Sequence, residues 1–583
     1  MPDPASFVPP IGPTPAPHGL RTDRPAPAPD PAAAPPALPQ TGPDQVALIV
    51  DGQAVVVPKG TTVLQAAAQA GILVPHYCYH PGLSVAGNCR MCLIEIEKMP
   101  KLQIGCATTV TPGMVVRTRT PRVVETRKGI QEFLLINHPL DCPICDQAGE
   151  CRLQQYEADY GKGFSRFTEE KVHHPKRYDI GRHVKFDAER CIKCTRCVRF
   201  CDEVSGTHEL TLVDRGDHAI IGTFPGKSLD NAYSGNTVDI CPVGALTWSP
   251  FRFKSRVWFL KNTPSVCTAC ARGCNVDVAT YRNRIHRLTP RVNMEVNRYW
   301  MCDDGRRSHE TLYERPRLER PLLRAACGEG PQQPGTRDEA IDRAVTVLRE
   351  AGVGDGASQG TEAAGRATGA VAAIVSARLT LEDLYMVRRV LMETLGIDRI
   401  VVPPHEAGQD DDLLIRRDRT PNARGALIAG IGGPDAARLQ ELAQDIAAGR
   451  VQGLVVVGED PVGDGLIAHD LLRRLKALVV IDWWRSPTAE AAQVALPACG
   501  YGEHDGTVVN FEGRAQRLRT ATRPPGEAEP AWRLLQSIGQ ACGLAAAHDS
   551  AAGILGEAAR NVPAIAGLSA RTMGTAGVLL QVR

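Results

Sequence analysis

The cysteines constrain this chain more than any other feature: sixteen of nineteen lie between Cys78 and Cys302, in groups whose short spacings repeat. Thiols placed this closely on short loops converge on single points, as a bound metal requires and a disulfide framework does not. The first group is Cys78, Cys89, Cys92 and Cys106, spaced C-x10-C-x2-C-x13-C. The second is His138, Cys142, Cys145 and Cys151, in HPLDCPICDQAGEC. The third is Cys191, Cys194 and Cys197, in CIKCTRC, with Cys241 forty-four residues beyond. The fourth is Cys267, Cys270 and Cys274, in CTACARGC, with Cys302 twenty-eight residues beyond. Each group offers four donors.

Three thiolates at i, i+3 and i+6 suit three corners of an iron–sulfur cubane, whereas zinc sites divide their ligands into two close pairs. For the fourth corner of the third group, Cys201 and Cys241 compete. Cys201 completes a C-x2-C-x2-C-x3-C run, but in that pattern the last cysteine serves another cluster and precedes proline. Asp202 follows Cys201, while Pro242 follows Cys241, so Cys241 is the expected ligand. His138 alone would read as a helix-end cap; three cysteines directly after it make it a candidate ligand.

At 583 residues the chain is too long for one core, and about three to five domains are expected. A net charge of +2 gives no reason to invoke nucleic acid or an acidic membrane surface. No run of eighteen apolar residues occurs and MPDPASFVPP is not a secretory signal, so a cytosolic protein without a direct membrane span is expected. Residues 1–44 hold fifteen of the forty-four prolines and few large apolar residues, the composition of a disordered tail.

From Val46 two β-rich runs meet at Asp51-Gly52, a hairpin signal, and Thr61 or Thr62 caps a helix ending at Gly71. Cys89-x-x-Cys92 then leads into the strand LIEIE. Strand, turn, strand, helix and cysteine loop is the order of plant-type ferredoxins, a β-grasp fold, although the first cysteine gap is longer here. A second helix is expected over 121–137, with Val123, Ile130, Phe133 and Leu134 on one side. Beyond Arg306, helical stretches at 336–351, 381–395, 435–448 and 532–542 alternate with VAAIV, GLVVVGED and ALVVID, the pattern of parallel sheets covered by helices. No G-x-G-x-x-G or G-x4-G-K-[ST] motif points to a dinucleotide or nucleoside triphosphate.

On these residues the chain resembles the family of large iron–sulfur subunits, of the 75-kDa type, of bacterial respiratory complex I. C-x10-C-x2-C-x13-C matches that family's [2Fe–2S] site, and H-x3-C-x2-C-x5-C its [4Fe–4S] site with one imidazole ligand. The fourth group resembles the cluster domain of molybdopterin oxidoreductases, which some bacterial members of the family keep. DRTPNARGALIAG, GLVVVGEDPV and VALPACGYGEHDGTVVNFEGRAQ resemble the family's C-terminal domain. Two departures from molybdopterin enzymes stand out: the interval from Val371 to Asn422 is short, and Asp303 and Asp304 follow Cys302 where a lysine is common. Cys327, Cys499 and Cys542 read as ordinary core or surface thiols.

The resemblance implies a multidomain α+β and α/β chain. Its expected parts are a tail over 1–44, a β-grasp [2Fe–2S] domain over 45–120 and a domain with two [4Fe–4S] clusters over 121–260. A small [4Fe–4S] domain over 261–325 and a shortened molybdopterin-oxidoreductase-like domain over 326–583 follow. It implies one [2Fe–2S] and three [4Fe–4S] clusters without molybdopterin, and an electron conductor with no substrate site of its own. The implied partners are an NADH/FMN-binding subunit, a small [2Fe–2S] subunit, and peripheral-arm and quinone-module subunits, on the cytoplasmic face of the inner membrane. Two alternatives stand beside it: the α-subunit of an NAD-linked molybdenum or tungsten formate dehydrogenase, and a scaffold with four structural zinc sites.

Overall fold

The computed structural model describes residues 36–353 and 370–581. The expected tail lies outside them up to residue 35, and residues 36–44 form neither helix nor strand. The chain divides into two compact units, Met1–Leu260 and Lys261–Arg583.

The first unit opens with β1 (Gln45–Val50) and β2 (Gln53–Pro58), antiparallel across Asp51 and Gly52 at φ 44° and 79°. Two successive residues at positive φ make the turn whose twist suits a two-residue hairpin. Thr62 caps the helix Val63–Gln69 in a capping box: its hydroxyl accepts from Gln65 N, and Thr62 N donates to Gln65 Oε1 at 2.9 Å. Gly71, at φ 74°, takes the chain away from the helix end. β3 (Leu93–Ile96), β4 (Gln103–Ile104) and β5 (Val115–Arg117) complete a sheet in the order β2-β1-β5-β3-β4, with β5 parallel to β1. Val46, Leu48 and Val50, alternate residues of β1, pack with Val63, Ala66 and Ala67 of the helix, and Cys92 and Cys106 join the same core. This is the expected β-grasp arrangement, with two thiols anchored in its interior.

The helix Pro121–Leu135 forms where the pattern placed it, capped by Thr120, but of the expected apolar set only Val123 is buried. Val123, Arg127 and Gln131 are buried, while Phe133 is 79% exposed. The polar pair lies inside because it is hydrogen-bonded: Arg127 Nη2 donates to Leu93 O at 2.9 Å, and Gln131 accepts from Tyr77 Oη at 2.8 Å and donates to Leu153 O at 3.1 Å. A helix at Arg152–Tyr160 follows. β6 (Tyr178–Asp179) and β7 (Val184–Phe186) come next, then a helix at Arg196–Glu203 and the hairpin β8 (Leu210–Val213) and β9 (Ile220–Thr223). β10 (Leu246–Trp248) returns to pair with β7, giving the order β10-β7-β6.

The second unit begins with an antiparallel meander of β11 (Lys261–Val266), β12 (Asn275–Tyr281) and β13 (Arg284–Pro290). Its centre is a seven-stranded sheet built from β14 (Leu322–Leu323), β15 (Gln333–Pro334), β16 (Val371–Val375), β17 (Ile400–Val401), β18 (Gly453–Val457), β19 (Ala477–Asp482) and β20 (Val494–Pro497). The order is β15-β14-β20-β19-β18-β16-β17, and β16 to β20 run parallel. Val371, Ala373 and Val375 enter one apolar core, and Ala372 and Ile374 enter a second on the opposite face. Covered on both sides, these strands read as unbroken apolar runs. Helices at Arg337–Glu350, Leu381–Val387, Ala436–Ala447 and Ala531–Ala541 match the expected stretches; the second continues through Arg388–Thr394 in the wider π winding. A third sheet joins β21 (Gly506–Val509), β22 (Arg514–Leu518) and β23 (Val578–Leu579). Among the described residues no helix is long and apolar enough to cross a membrane.

Candidate metal centres

Cys78, Cys89 and Cys92 of the first group sit on the loop between the Val63–Gln69 helix and β3, and Cys106 follows β4. The group's thiols associate in two pairs, Cys78 with Cys89 and Cys92 with Cys106, each joined by a side-chain hydrogen bond. The hydrogen bond from Cys89 lowers the Cys78 thiol, and that from Cys106 lowers the Cys92 thiol. Tyr77 N and Cys78 N each lie 3.5 Å from Cys89 Sγ. Two thiol pairs suit two irons, each taking two thiolates.

In the third group, Cys191, Cys194, Cys197 and Cys241 line one cavity, walled by Phe186, Ile221 and Leu246. Burial raises the Cys191 and Cys197 thiols, and the neighbouring thiols, Cys241 included, push the same way. Lys193 N donates to Cys191 Sγ at 3.3 Å, and Val243, Ala245 and Leu246 turn their backbone donors toward Cys241. Cys201 is fully buried but does not line the cavity; burial, then Glu209 and Asp202, push its thiol up to about 12.

The second group follows the Pro121–Leu135 helix. Cys145 is buried and Cys142 exposed, and Cys151 feels both. Burial, then Arg190 and Lys171, push the His138 imidazole down to about 4. The ring is therefore neutral at neutral pH, with a lone pair to give, as a metal ligand must be. Arg190, 2% exposed, acts on both His138 and Cys145 and is held by Asp141 at 2.8 Å. Gly244 presses on this group: a Cβ there would stand 2.2 Å from Cys145 Sγ.

The loops of these three groups are tied to one another. Arg199 Nη2 donates to Cys78 O at 2.6 Å and to Cys194 O at 3.3 Å, so one nitrogen joins the first and third groups. Buried Arg196 does likewise, reaching Tyr79 O and, at 2.9 Å, Ile240 O. The residues following Cys241 and Cys151 meet through Arg152 N and Pro242 O at 3.0 Å. None of these arginines, nor Gly244, was singled out from sequence. Their signal is position: Arg196 and Arg199 lie inside CTRCVRFC, and Gly244 inside CPVGAL.

The fourth group belongs to the second unit, where all four thiols are buried. Cys267 N donates to Cys274 O at 2.8 Å, closing the loop between β11 and β12. Cys302 caps the helix Asp303–Arg307, its Sγ accepting from Gly305 N at 3.3 Å. A Cβ on Gly305 would lie 3.1 Å from Cys267 Sγ and 3.3 Å from Cys302 Sγ, so the glycine leaves room for these two sulfurs. Burial raises Cys267 and Cys274, and neighbouring cysteines add to it.

The spacing of the sulfurs bears on what they hold. One zinc ion at about 2.3 Å from each thiolate keeps sulfurs about 3.8 Å apart. Among the described residues, the one set of three or more His, Cys, Asp or Glu donor atoms within 4.8 Å of one another contains no cysteine. Iron–sulfur clusters fit the thiol chemistry of the quartets, their backbone donors and the apolar walls of the third group. Outside the groups, Cys327 Sγ lies 3.3 Å from Gln493 Oε1, Cys499 Sγ lies 4.0 Å from Ala528 O, and Cys542 packs against the main core of the second unit.

Comparison with known proteins covers the same segments. Family models match a 2Fe-2S iron-sulfur cluster binding domain at 43–121, an NADH-ubiquinone oxidoreductase-G iron-sulfur binding region at 127–166 and an NADH-quinone oxidoreductase subunit 3 ferredoxin-like domain at 181–247. A molybdopterin oxidoreductase Fe4S4 domain matches 260–314, and a molybdopterin oxidoreductase domain 406–541. The NADH-ubiquinone oxidoreductase 78 kDa subunit of Neurospora crassa mitochondria is 31% identical over 627 residues, covering 88% of this chain and 82% of that protein. The chain belongs to the NADH-quinone oxidoreductase-G family, with its mitochondrial 78 kDa counterparts. The NADH-quinone oxidoreductase-G protein of Rickettsia conorii is 47% identical over 279 residues, and the iron-sulfur protein 1 of potato mitochondrial NADH dehydrogenase is 47% identical over 285. Those matches take in 48% and 49% of this chain but only 41% and 38% of the relatives' own length.

Proposed function

We propose that this chain is the electron-conducting iron–sulfur subunit of an NADH:quinone oxidoreductase, relaying electrons from an NADH/FMN module toward a quinone-reducing module. In this reading Cys78, Cys89, Cys92 and Cys106 hold a [2Fe–2S] cluster. His138 with Cys142, Cys145 and Cys151, the set Cys191, Cys194, Cys197 and Cys241, and the set Cys267, Cys270, Cys274 and Cys302 each hold a [4Fe–4S] cluster. Such clusters supply one-electron transfer when bound.

The observation that carries the reading is the tying of three donor sets within one unit: Arg199 between Cys78 and Cys194, and Arg152 N on Pro242 O. A relay needs fixed, short separations, and arginines that bond carbonyls of two loops, half-buried Arg199 and buried Arg196, fix them. The same cations lie near the sulfurs: Arg190 acts on Cys145, and Arg196 and Arg199 act on Cys194. Positive charge beside a site favours the electron-richer state. The apolar walls Phe186, Ile221 and Leu246 exclude water from the third set. The partners in this reading are the NADH/FMN-binding subunit, the small [2Fe–2S] subunit and the peripheral-arm and quinone-module subunits, on the cytoplasmic face of the membrane.

The test is made in the assembled complex. Cys197→Ser should abolish quinone reduction by NADH while NADH oxidation by ferricyanide, taken at the flavin, persists. Cys267→Ser should leave more of the quinone reduction, because its set lies off the route in this reading. Full quinone reduction in the assembled Cys197→Ser complex would sink the proposal.

A further inference from the structure

A second kind of donor set lies at the centre of the parallel sheet, far in sequence from the cysteines. Taken in chain order, β17 adds to one side of β16 and β18 to the other, after which β19 and β20 continue outward. The sheet therefore has a topological switch point between β16 and β18, and such sheets bind ligands in the crevice beyond the carboxyl ends of the strands on either side. The chain leaving β17 brings His405 there, and the chain leaving β18 brings Glu459 and Asp464. One donor atom of each of the three lies within 4.8 Å of the other two.

The arrangement differs from a solvated acidic patch. Glu459 is 3% exposed, and its Oε1 and Oε2 lie 3.1 and 2.9 Å from His405 Nε2. His405 is itself mostly buried, and Asp464 closes the set from the solvent side. Asp460 is committed elsewhere, accepting from Gly463 N, Thr488 N and Thr488 Oγ1. Asp482, at the end of β19 and 1% exposed, feels both Asp460 and Glu459. Ser486 is close to its carboxyl, yet Oδ2 makes no hydrogen bond of ordinary geometry. Three buried carboxyl groups, of Glu459, Asp460 and Asp482, thus gather at the ends of these strands with one imidazole beside them.

We propose that His405, Glu459 and Asp464 form a site for one divalent first-row transition metal ion of the Mn²⁺ or Zn²⁺ class. A neutral imidazole and two carboxylates carry charge −2, which a divalent ion balances, and this mixed nitrogen and oxygen set suits those ions better than Ca²⁺ or Mg²⁺. Ligands at about 2.1 Å from one ion stand about 3.0 to 4.2 Å apart, so side-chain movements under about 1 Å complete the set. The ion takes the place of the proton between His405 Nε2 and Glu459, and it clamps the segment after β17 to the segment after β18. The site uses no cysteine and stands independently of the electron-relay reading.

The test uses the full-length, cluster-loaded protein, freed of loose metal by EDTA and desalting under anaerobic conditions. It is titrated with MnCl₂ while room-temperature EPR counts free Mn²⁺. One equivalent should be bound and displaced by Zn²⁺. His405→Gln and Asp464→Asn should each weaken binding at least about tenfold with the iron content unchanged. Asp464 is exposed, so Asp464→Asn decides the matter if His405→Gln fails to fold. Mn²⁺ that stays free throughout, or binding that is the same in Asp464→Asn as in the parent, overturns the proposal.

Discussion

Gly244→Ala tests whether Cys145 is held in place by a metal. The added methyl would stand 2.2 Å from Cys145 Sγ and 3.0 Å from Gln147 Cβ, while non-bonded heavy atoms rest at about 3.5 to 4.0 Å. The sulfur must therefore retreat by about 1.3 Å or more. A free thiol does this by rotating about χ1, and the protein without clusters should lose little stability. A thiolate anchored to a cluster by its own bond cannot, because the other three ligands fix the metal. Overpacking of a site that cannot relax costs about 1 to 3 kcal/mol, which is about 5- to 150-fold in cluster affinity. Gly305→Ala supplies the comparison, since its methyl would lie 3.1 and 3.3 Å from Cys267 and Cys302 Sγ and needs only a few tenths of an ångström. The assay is iron per chain with low-temperature EPR of the reduced protein. Gly244→Ala should lose the His138 centre, about four irons, and Gly305→Ala should keep its centre with shifted signals. A full set of clusters with unchanged spectra in Gly244→Ala would refute the reasoning.

Cys241→Ser should remove or alter the cubane of the third group, whereas Cys201→Ala should keep every iron, because Cys201 does not line that cavity; iron and EPR on both variants check this. His138→Cys should keep a cubane but lower its potential, since an added thiolate brings negative charge, and a redox titration followed by EPR measures the shift. Burial raises the Glu382 carboxyl to about 7. The folded state then binds that proton more tightly than the unfolded chain, so the associated stability is full below about pH 4.3 and is lost as pH rises through about 7. Anaerobic thermal melts should show this decline between about pH 4.3 and 7, and Glu382→Gln should flatten it.

The parts of the fold legible in the sequence were those with local causes. Asp51-Gly52 dictates a hairpin, Thr62 and Gln65 dictate a helix start, and unbroken runs such as ALVVID dictate strands covered on both faces. The donor groups were legible because cysteine spacing on a short loop reports convergence directly. What stayed hidden depends on partners distant in sequence. The apolar pattern of Pro121–Leu135 meets its buried face only at Val123, since Arg127 and Gln131 find carbonyls and a tyrosine hydroxyl supplied by other segments. Arg199 looks like any helical arginine until Cys78 O, 121 residues away, reaches it. The His405, Glu459 and Asp464 set has no spacing signature, because it is assembled by the strand order of the sheet.

Whether the four donor sets hold iron–sulfur clusters, with no other redox cofactor on the chain, is decided most directly by metal content. The measurement is iron, acid-labile sulfide, molybdenum, tungsten and zinc in anaerobically purified protein, with low-temperature EPR of the reduced sample. About fourteen irons with matching sulfide, one [2Fe–2S] and three [4Fe–4S] signals, and no molybdenum or tungsten are the predicted result. Stoichiometric molybdenum or tungsten, or zinc in place of iron in the cysteine sets, would contradict it.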